Sequence, residues 1–315
     1  MANPAPFLRW AGGKRQLLPS LLAALPADFD FATNRFFEPF FGGGALAFAL
    51  SGHRTAPTAA PRTKTNRPMV LNDVNDELIT TYLAVRDDVE GLIGELLLLQ
   101  TDTSSRRYYE VRATRPIANL DRATRFIFLN KLSFNGLWRV NSKGDHNVPF
   151  GKVAKPVICD VDQLRACSHW LQQAEIRRGP YVSAVTDAKA GDVVYFDPPY
   201  LPLTTTASFS KYAKDDFKEM DQWALAGVIR GLVSRDVRII LSNSNTEMAR
   251  RIYDDGLELR AISASRSIGA DAASRSRVEE ILGLSYPLAD ATDAHILAAL
   301  EVADPAKRSL PAVAA

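Results

Sequence analysis

Apolar residues in this chain follow two patterns. Short continuous runs bounded by glycine, proline or asparagine alternate with longer stretches in which apolar residues recur every three or four positions. The short runs predict strands buried on both faces of a parallel sheet, and the longer spacing predicts helices. Arg35 to Phe41 predicts a first strand, ended by Gly42-Gly43-Gly44, with a helix starting at Ala45. Met69-Val70-Leu71 predicts a second strand, ending at Asn72-Asp73. Val193 to Phe196, Val237 to Leu241 and Ile281 to Leu284 predict three more, and Phe217 to Val233 a helix. Between these groups, Leu78, Ile79, Tyr82, Leu83, Leu92, Leu96 and Leu99, then Phe126, Ile127 and Leu132, keep helical spacing, so residues 75–135 read as mainly helical.

The order strand, glycine turn, helix, strand is the first half of a Rossmann-like unit. The predicted class is therefore α/β, with a sheet that is discontinuous in sequence and flanks a mainly α-helical insert. Asn135-Gly136, Lys143-Gly144-Asp145 and Phe150-Gly151 punctuate the end of that insert and predict a β-hairpin or extended loop turning near Ser142 to Asp145. Asp160 is placed to cap a helix running to about Gln173. The division expected is 1–75 with 181–287 as the sheet domain, 76–180 as an inserted unit, and 288–315 as a peripheral Ala-rich tail. Residues 52–68, rich in Pro, Thr and Ala, read as a surface insertion.

Charge sharpens this division. The net charge of +2 over 315 residues says little, but residues 101–160 hold 11 Lys and Arg against 5 Asp and Glu. The rest of the chain, 27 against 31, is mildly acidic. A basic segment on an acidic body is the footprint expected of a polyanion-binding face, although a solvated helix surface gives the same count. Cys159 and Cys167, with four scattered histidines, have no metal-ligand or disulfide spacing, so no metal is expected. No leader pattern opens the chain, and the apolar stretch near Leu92 to Leu99 is broken by Gly94 and Glu95, so no membrane association is expected. The expectation is a cytoplasmic protein, nucleoid-associated if it binds DNA. One chain carrying both a reading insert and a catalytic sheet suggests a monomer.

Candidate chemistry sits at the strand ends. Asp197-Pro198-Pro199-Tyr200 follows the 193–196 run directly. Prolines remove backbone donors and fix φ, so the carbonyls there are free and rigidly oriented. A carboxylate, a fixed carbonyl and an aromatic face suit the exocyclic amine of a planar base. Glu38 to Gly44 lacks the G-x-G-x-x-G spacing of a pyrophosphate cradle and suits a cofactor with an adenosine but no phosphate; alone it reads equally as a structural turn. Asp73 is placed to accept ribose hydroxyls or to cap the next helix. Trp10-Ala11-Gly12-Gly13-Lys14 is a candidate carboxylate site or an ordinary helix entry. Phe134 to Arg139 with Asn147 to Lys152 combines aromatic, amide and basic residues around a turn, suited to reading base edges or to packing on the insert.

Taken together these blocks resemble the DNA adenine-N6 methyltransferase (Dam) family, D12 class, over about residues 7–287. The resemblance rests on Leu8 to Lys14, Phe37 to Gly44, Leu71 to Asn75, Asn135 to Arg139 with Asn147 to Gly151, Asp197 to Tyr200, and Arg266-Ser267-Ile268 with Arg277 to Glu280. It implies methyl transfer from S-adenosyl-L-methionine to adenine in double-stranded DNA, with GATC as the site and base flipping as the means. By the same resemblance Trp10, Lys14, Glu38, Phe40, Gly42, Asp73 and Asp197 bind the cofactor. Asp197, Pro198 and Tyr200 carry the chemistry. Arg9, Phe134, Asn135, Leu137, Arg139, Pro149 and Lys152 meet the DNA, with Arg139 on a guanine, Leu137 and Pro149 beside a thymine, and Phe134 inserted beside the flipped base. The chain departs from the commonest pattern: Phe134 stands where a tyrosine is usual, Arg9 replaces a lysine, Lys152 an arginine and Val153 a tyrosine. Alternatives are an RNA adenine methyltransferase, a protein-glutamine methyltransferase and an inactive DNA-binding protein of the same fold. Asp197, where a glutamine methyltransferase is expected to have Asn, and the basic insert count against the second; Asp73, Asp197 and Tyr200 count against the third.

Overall fold

The computed structural model describes residues 3–57, 68–200, 217–265 and 277–288. Most of the 52–68 insertion, the tail beyond 288 and the Arg266-Ser267-Ile268 block lie outside the described residues.

Seven strands form one sheet in the order β3-β2-β1-β4-β5-β7-β6. They are β1 Phe36–Glu38, β2 Met69–Asp73, β3 Ala174–Arg178, β4 Val193–Phe196, β5 Arg238–Ser244, β6 Glu258–Ser265 and β7 Arg277–Leu284. The first five in spatial order are parallel, and β7 pairs antiparallel with both β5 and β6. β1 and β4 lie at the centre, where Phe36 faces Val193 and Phe37 faces Val194. All residues of both are buried, which explains why their sequences are almost unbroken apolar runs.

Ten helices complete the described fold: α1 Leu18–Ala23, α2 Ala45–Ala49, α3 Asp76–Asp87, α4 Val89–Gln100, α5 Ser105–Ala113, α6 Asn119–Leu132, α7 Val161–Leu171, α8 Tyr181–Ala184, α9 Glu219–Val233 and α10 Glu247–Tyr253. Side chains that alternate along the strands feed two cores. Phe36, Met69, Leu71 and Val193 join Leu46, Tyr82, Phe126, Leu129 and Trp170 on one face. Phe37, Val70, Val194 and Phe196 join Leu225, Ile229, Ile252 and Tyr253 on the other. None of the described helices is long and apolar enough to cross a membrane.

Three features depart from the sequence expectations. β3 falls inside the 76–180 segment, yet it is the edge strand of the main sheet, with Asp73 opposite Arg178. Its sequence, AEIRR, hides it: an edge strand shows one side to solvent, and Arg35, Glu175, Arg177 and Asp187 form an ion-pair network there. The helical insert, expected as a unit of its own, shares one continuous core with the first sheet face. The predicted hairpin carries no ladder; it is an excursion pinned by the bridges Val140 to His146 and Ser133 to Phe150. β6 and α10 had no clear sequence signal, because β6 is the opposite edge and α10 is short.

Candidate active site

The sheet's topology fixes where a site can form. From β1 the chain runs to β2 on one side, and from β4 to β5 on the other, so the two connections part between β1 and β4. A crevice opens outside the carboxyl ends of strands at such a switch point. The residues there are Glu38 to Gly44 after β1 and Asp197 to Tyr200 after β4.

Asp197 is held from two directions. Lys14 Nζ lies 2.9 Å from Asp197 Oδ1, and the Ser242 hydroxyl donates to the same oxygen at 2.8 Å. Tyr195 OH is 2.9 Å from Ser242 Oγ and supports it from the buried strand. The two hydrogen-bond sites of Oδ1 are thus engaged, and Oδ2 has no partner among the described residues. Lys14 is only 6 % exposed. It donates to Gly12 O at 2.6 Å and lies 4.6 Å from the centre of the Tyr200 ring. The Tyr200 hydroxyl donates to Glu280 on β7, which fixes the ring. Burial pushes the Tyr200 phenol well above its ordinary range, helped by the Asp197 and Glu280 carboxylates.

The prolines of this loop are treated differently. Pro199 O accepts the Gln222 amide at 2.7 Å. Gln222 is fully buried on α9, and its own oxygen accepts from Asn243 Nδ2 at 3.0 Å and from the Tyr253 hydroxyl. Pro198 O has no donor among the described residues. One loop carbonyl is therefore tied back, and that of Pro198, next to Asp197 in the chain, is not.

The glycine loop after β1 is shaped by Trp10. A Cβ on Gly42, whose φ is +48°, would lie 2.9 Å from Trp10 Cδ1, so only glycine lets the indole settle on the loop. Gly42 N donates to Asp73 Oδ2 and Asn75 N to Asp73 Oδ1, each at 2.9 Å. Tyr82 OH donates to Gly42 O at 2.9 Å. Asp73 is not the cap of α3, a place taken by Asn75, whose side chain accepts Leu78 N; Asp73 instead ties the glycine loop to Asn75, and a carboxylate with about four acceptor sites has capacity beyond these two bonds. Burial raises its pKa against the backbone N–H groups that lower it. Glu38 is buried and accepts Ala47 N at 3.2 Å. Burial first, then the nearby Asp197, raise its pKa well above the usual carboxylate range.

The structure thus brings Trp10, Lys14, Glu38, Gly42, Asp73, Asp197, Pro198 and Tyr200 to one corner. Phe40 sits apart: its ring stacks on Tyr181 at 5.2 Å and meets Phe217 edge-on at 5.8 Å in the second core. Ser242, Gln222 and Glu280 were not among the sequence candidates. Ser242 closes the strand expected at 237–241, and its polar run was the available signal; Gln222 sits inside an ordinary helical pattern and gave none.

The candidate reading residues form a second group. The short turn Phe134–Gly136 follows α6, and Phe134 is 51 % exposed. Arg9, Asn135, Arg139, Pro149 and Lys152 are exposed as well, and Leu137 is half-buried. The Arg139 guanidinium donates to Asn147 Oδ1 at 2.8 Å. Beneath them lies a neutral cluster. Tyr108 OH donates to Val148 O at 2.9 Å and lies 3.0 Å from Ser133 Oγ and 3.2 Å from His146 Nε2. His146 stacks on Trp138 at 4.5 Å. Burial first, then Arg125 and Arg112, push its pKa down to about 3.

The basic segment is less free than its charge suggests. Arg122 pairs with Asp76 and Glu77, Arg125 donates to the last carbonyls of α5, and Arg112 donates to Val148 O. Lys131, Lys143, Lys152 and Lys155 have no side-chain partner among the described residues. These, with exposed Arg9 and with exposed Arg139, whose partner Asn147 is neutral, are cations not paired to a carboxylate among the described residues.

Comparison with known proteins agrees with this geometry. Residues 10–268 match the family model described as D12 class N6 adenine-specific DNA methyltransferase. The chain is 38 % identical over 292 residues to the type II methyltransferase M1.LlaDCHI of Lactococcus lactis subsp. cremoris, covering 90 % of this chain and 96 % of that protein. It is 35 % identical over 296 residues to the type II methyltransferase M.MjaIII of Methanocaldococcus jannaschii, covering 89 % and 99 %. It is 32 % identical over 286 residues to the DNA adenine methylase of Escherichia coli K12, covering 89 % and 95 %.

Proposed function

The chain belongs to the D12 class N6 adenine-specific DNA methyltransferase family and is an adenine-specific DNA methyltransferase, and on that premise we propose how and where it acts. Its substrate is double-stranded DNA containing GATC, its methyl donor is S-adenosyl-L-methionine, and the target adenine is flipped into the corner between β1 and β4. The observation that carries this reading is the state of Asp197: Oδ1 is engaged by Lys14 and Ser242, while Oδ2 and Pro198 O stand open side by side in the chain. Two acceptors match the two N–H bonds of an exocyclic amine.

The donor set suits the cofactor. Asp73 has acceptor capacity for ribose hydroxyls, Trp10 offers an indole beside the glycine loop, and Lys14 is a cation within reach of a carboxylate. We assign Trp10, Lys14, Glu38, Gly42, Asp73 and Asp197 to that site, with Phe40 supporting the loop from the second core. When bound, the cofactor supplies an electrophilic sulfonium methyl. The protein's share is positioning. Asp197 Oδ2 and Pro198 O accept the amine's hydrogens and direct its lone pair, and the ring of Tyr200 takes the base on the face opposite Lys14. With the cofactor bound, the amine nitrogen would take the methyl as the donor's S–C bond breaks and leaves a neutral thioether, and one amine proton would pass to an acceptor at this corner or to solvent. Flipping costs a few kcal/mol, offset by pocket contacts.

We assign the sheet, with β3 included, to catalysis and the helices with the 134–152 excursion to target recognition. Arg9, Phe134, Asn135, Leu137, Arg139, Pro149 and Lys152 are the proposed DNA contacts. The relatives named as type II methyltransferases favour a role beside a restriction enzyme. The test is transfer of labelled methyl to duplexes with GATC, to single-base variants of it, and to RNA. Selective labelling of GATC adenine supports the reading; labelling of another duplex overturns the site, and labelling of RNA alone overturns the substrate.

A further inference from the structure

Asn130 belongs to neither group of candidate residues, yet it is fully buried and bonds the backbone of the two segments, Arg9 to Lys14 and Phe134 to Gly136, that carry members of both. It lies on α6, one turn before the Phe134–Gly136 turn. Its Oδ1 accepts Arg9 N at 2.8 Å, and its Nδ2 donates to Arg9 O at 2.7 Å and to Gly136 O at 3.2 Å. The amide thus pairs with the Arg9 backbone as a neighbouring strand would, and it also holds the reading turn. Gly136 has φ +66°, and a Cβ there would collide with the Arg9 side chain, so the two segments are in close contact. Trp10 follows Arg9 directly and lies on the glycine loop, and Lys14 ends the same segment on Asp197.

We propose that Asn130 is a positioning residue that sets the reading turn against the segment Arg9 to Lys14, so that site recognition is expressed in the rate of methyl transfer. The proposal rests on the DNA-reading role given above to the 134–152 excursion. A buried amide satisfied at three points is rigid, and a shift of about 1 Å at a reacting centre can cost about 100-fold in rate. Truncating Asn130 leaves Arg9 N and O without these partners and frees the N-terminal segment to move relative to the turn.

The experiment is single-turnover methyl transfer by the full chain on the duplex that the wild type methylates and on its single-base variants, with duplex Kd measured in parallel. For Asn130→Ala the expected result is a tenfold or greater fall in rate on the preferred duplex at saturating DNA. The preference over variants should shrink by a similar factor, with Kd changed less than threefold. An unchanged rate and preference overturns the proposal. So does a loss that appears only in Kd or KM, which is what a merely structural contact would give. If Asn130→Ala does not fold, Asn130→Ser, which keeps a buried polar group but cannot span Arg9 and Gly136, is held to the same criteria. A wild type that methylates without sequence preference would instead sink the reading role on which the proposal depends.

Discussion

The catalytic corner and the reading excursion are built from opposite materials. The corner gathers Glu38, Asp73 and Asp197 at the ends of buried strands, where backbone register fixes each carboxyl group, and the N-terminal segment brings Lys14 onto Asp197. The excursion stands on Tyr108, Ser133, His146 and Trp138, all uncharged, and carries its cations at exposed positions. Methyl transfer needs charge and acceptors that do not reorganise as the reaction proceeds, which a sheet end supplies. Reading a duplex needs side chains that can adapt above a foot that does not move. Ionic groups in that foot would incur a large desolvation cost, so neutral hydrogen bonds and stacked rings serve there.

Removing a fixed charge from the corner should therefore abolish chemistry and spare binding. Asp197→Ala takes away Oδ2 and the partner of Lys14 and is expected to lower kcat by at least about 10³-fold, with duplex affinity retained. Full activity would break the comparison at its strongest point. Lys14→Met leaves Asp197 with Ser242 alone on Oδ1 and is expected to cost about 100-fold. Gln222→Met releases Pro199 O while roughly keeping volume. Its expected loss is tenfold or more in kcat with little change in KM, read by steady-state kinetics on the methylated duplex.

Substitution in the foot should act on folding before chemistry. Tyr108→Phe leaves Val148 O, Ser133 and His146 to share fewer donors and is expected to lower unfolding free energy by about 1–3 kcal/mol in a denaturant titration. The rate per folded molecule should stay within a few-fold of wild type. A large kcat loss at unchanged stability would show that the two regions are not separable in this way.

How far the sequence disclosed each region follows from the same difference. The central strands were legible because burial on both faces leaves an unbroken apolar run, as at Val193 to Phe196. Glu38, Asp73 and Asp197 were legible because they sit at the ends of such runs, whereas Trp10 and Lys14 stood out only beside Gly12-Gly13. β3 was not, since Glu175, Arg177 and Arg178 face an ion-pair network and solvent at the sheet's edge. The excursion was read as a hairpin or extended loop from its turn residues, and it is the second, with pairing limited to isolated bridges because side chains such as Tyr108 satisfy its backbone. Ser242, Gln222 and Asn130 were hidden for a shared reason. Each is a buried polar residue whose neighbours in sequence do not set it apart, and only the fold shows which loop it faces. The basic count of 101–160 overstates the free charge of that segment, since Arg122 and Arg125 are used internally.

The smallest effect, and the one that divides the regions most directly, is the response to pH. His146 has an ordinary pKa of 6.5 that burial lowers to about 3 in the folded chain. Below about pH 6.5 the unfolded chain takes up a proton that the folded chain refuses, so the foot's contribution is present above that pH and is lost as pH falls towards 3. The slope tends to about 1.4 kcal/mol per pH unit for one such group. Glu38 runs the other way, because burial raises its carboxyl in the folded chain. Its contribution is present below the ordinary value of 4.5 and is lost as pH rises through the folded value. Denaturant titrations between pH 5 and pH 8 should therefore separate the two by substitution. His146→Phe, which keeps a ring against Trp138, should flatten the fall in stability on the acid side, and Glu38→Gln should flatten the fall on the alkaline side. If His146→Phe leaves the acid limb as steep as wild type, the foot is not the acid-sensitive part of the fold, and its neutrality serves some purpose other than keeping a buried imidazole unprotonated.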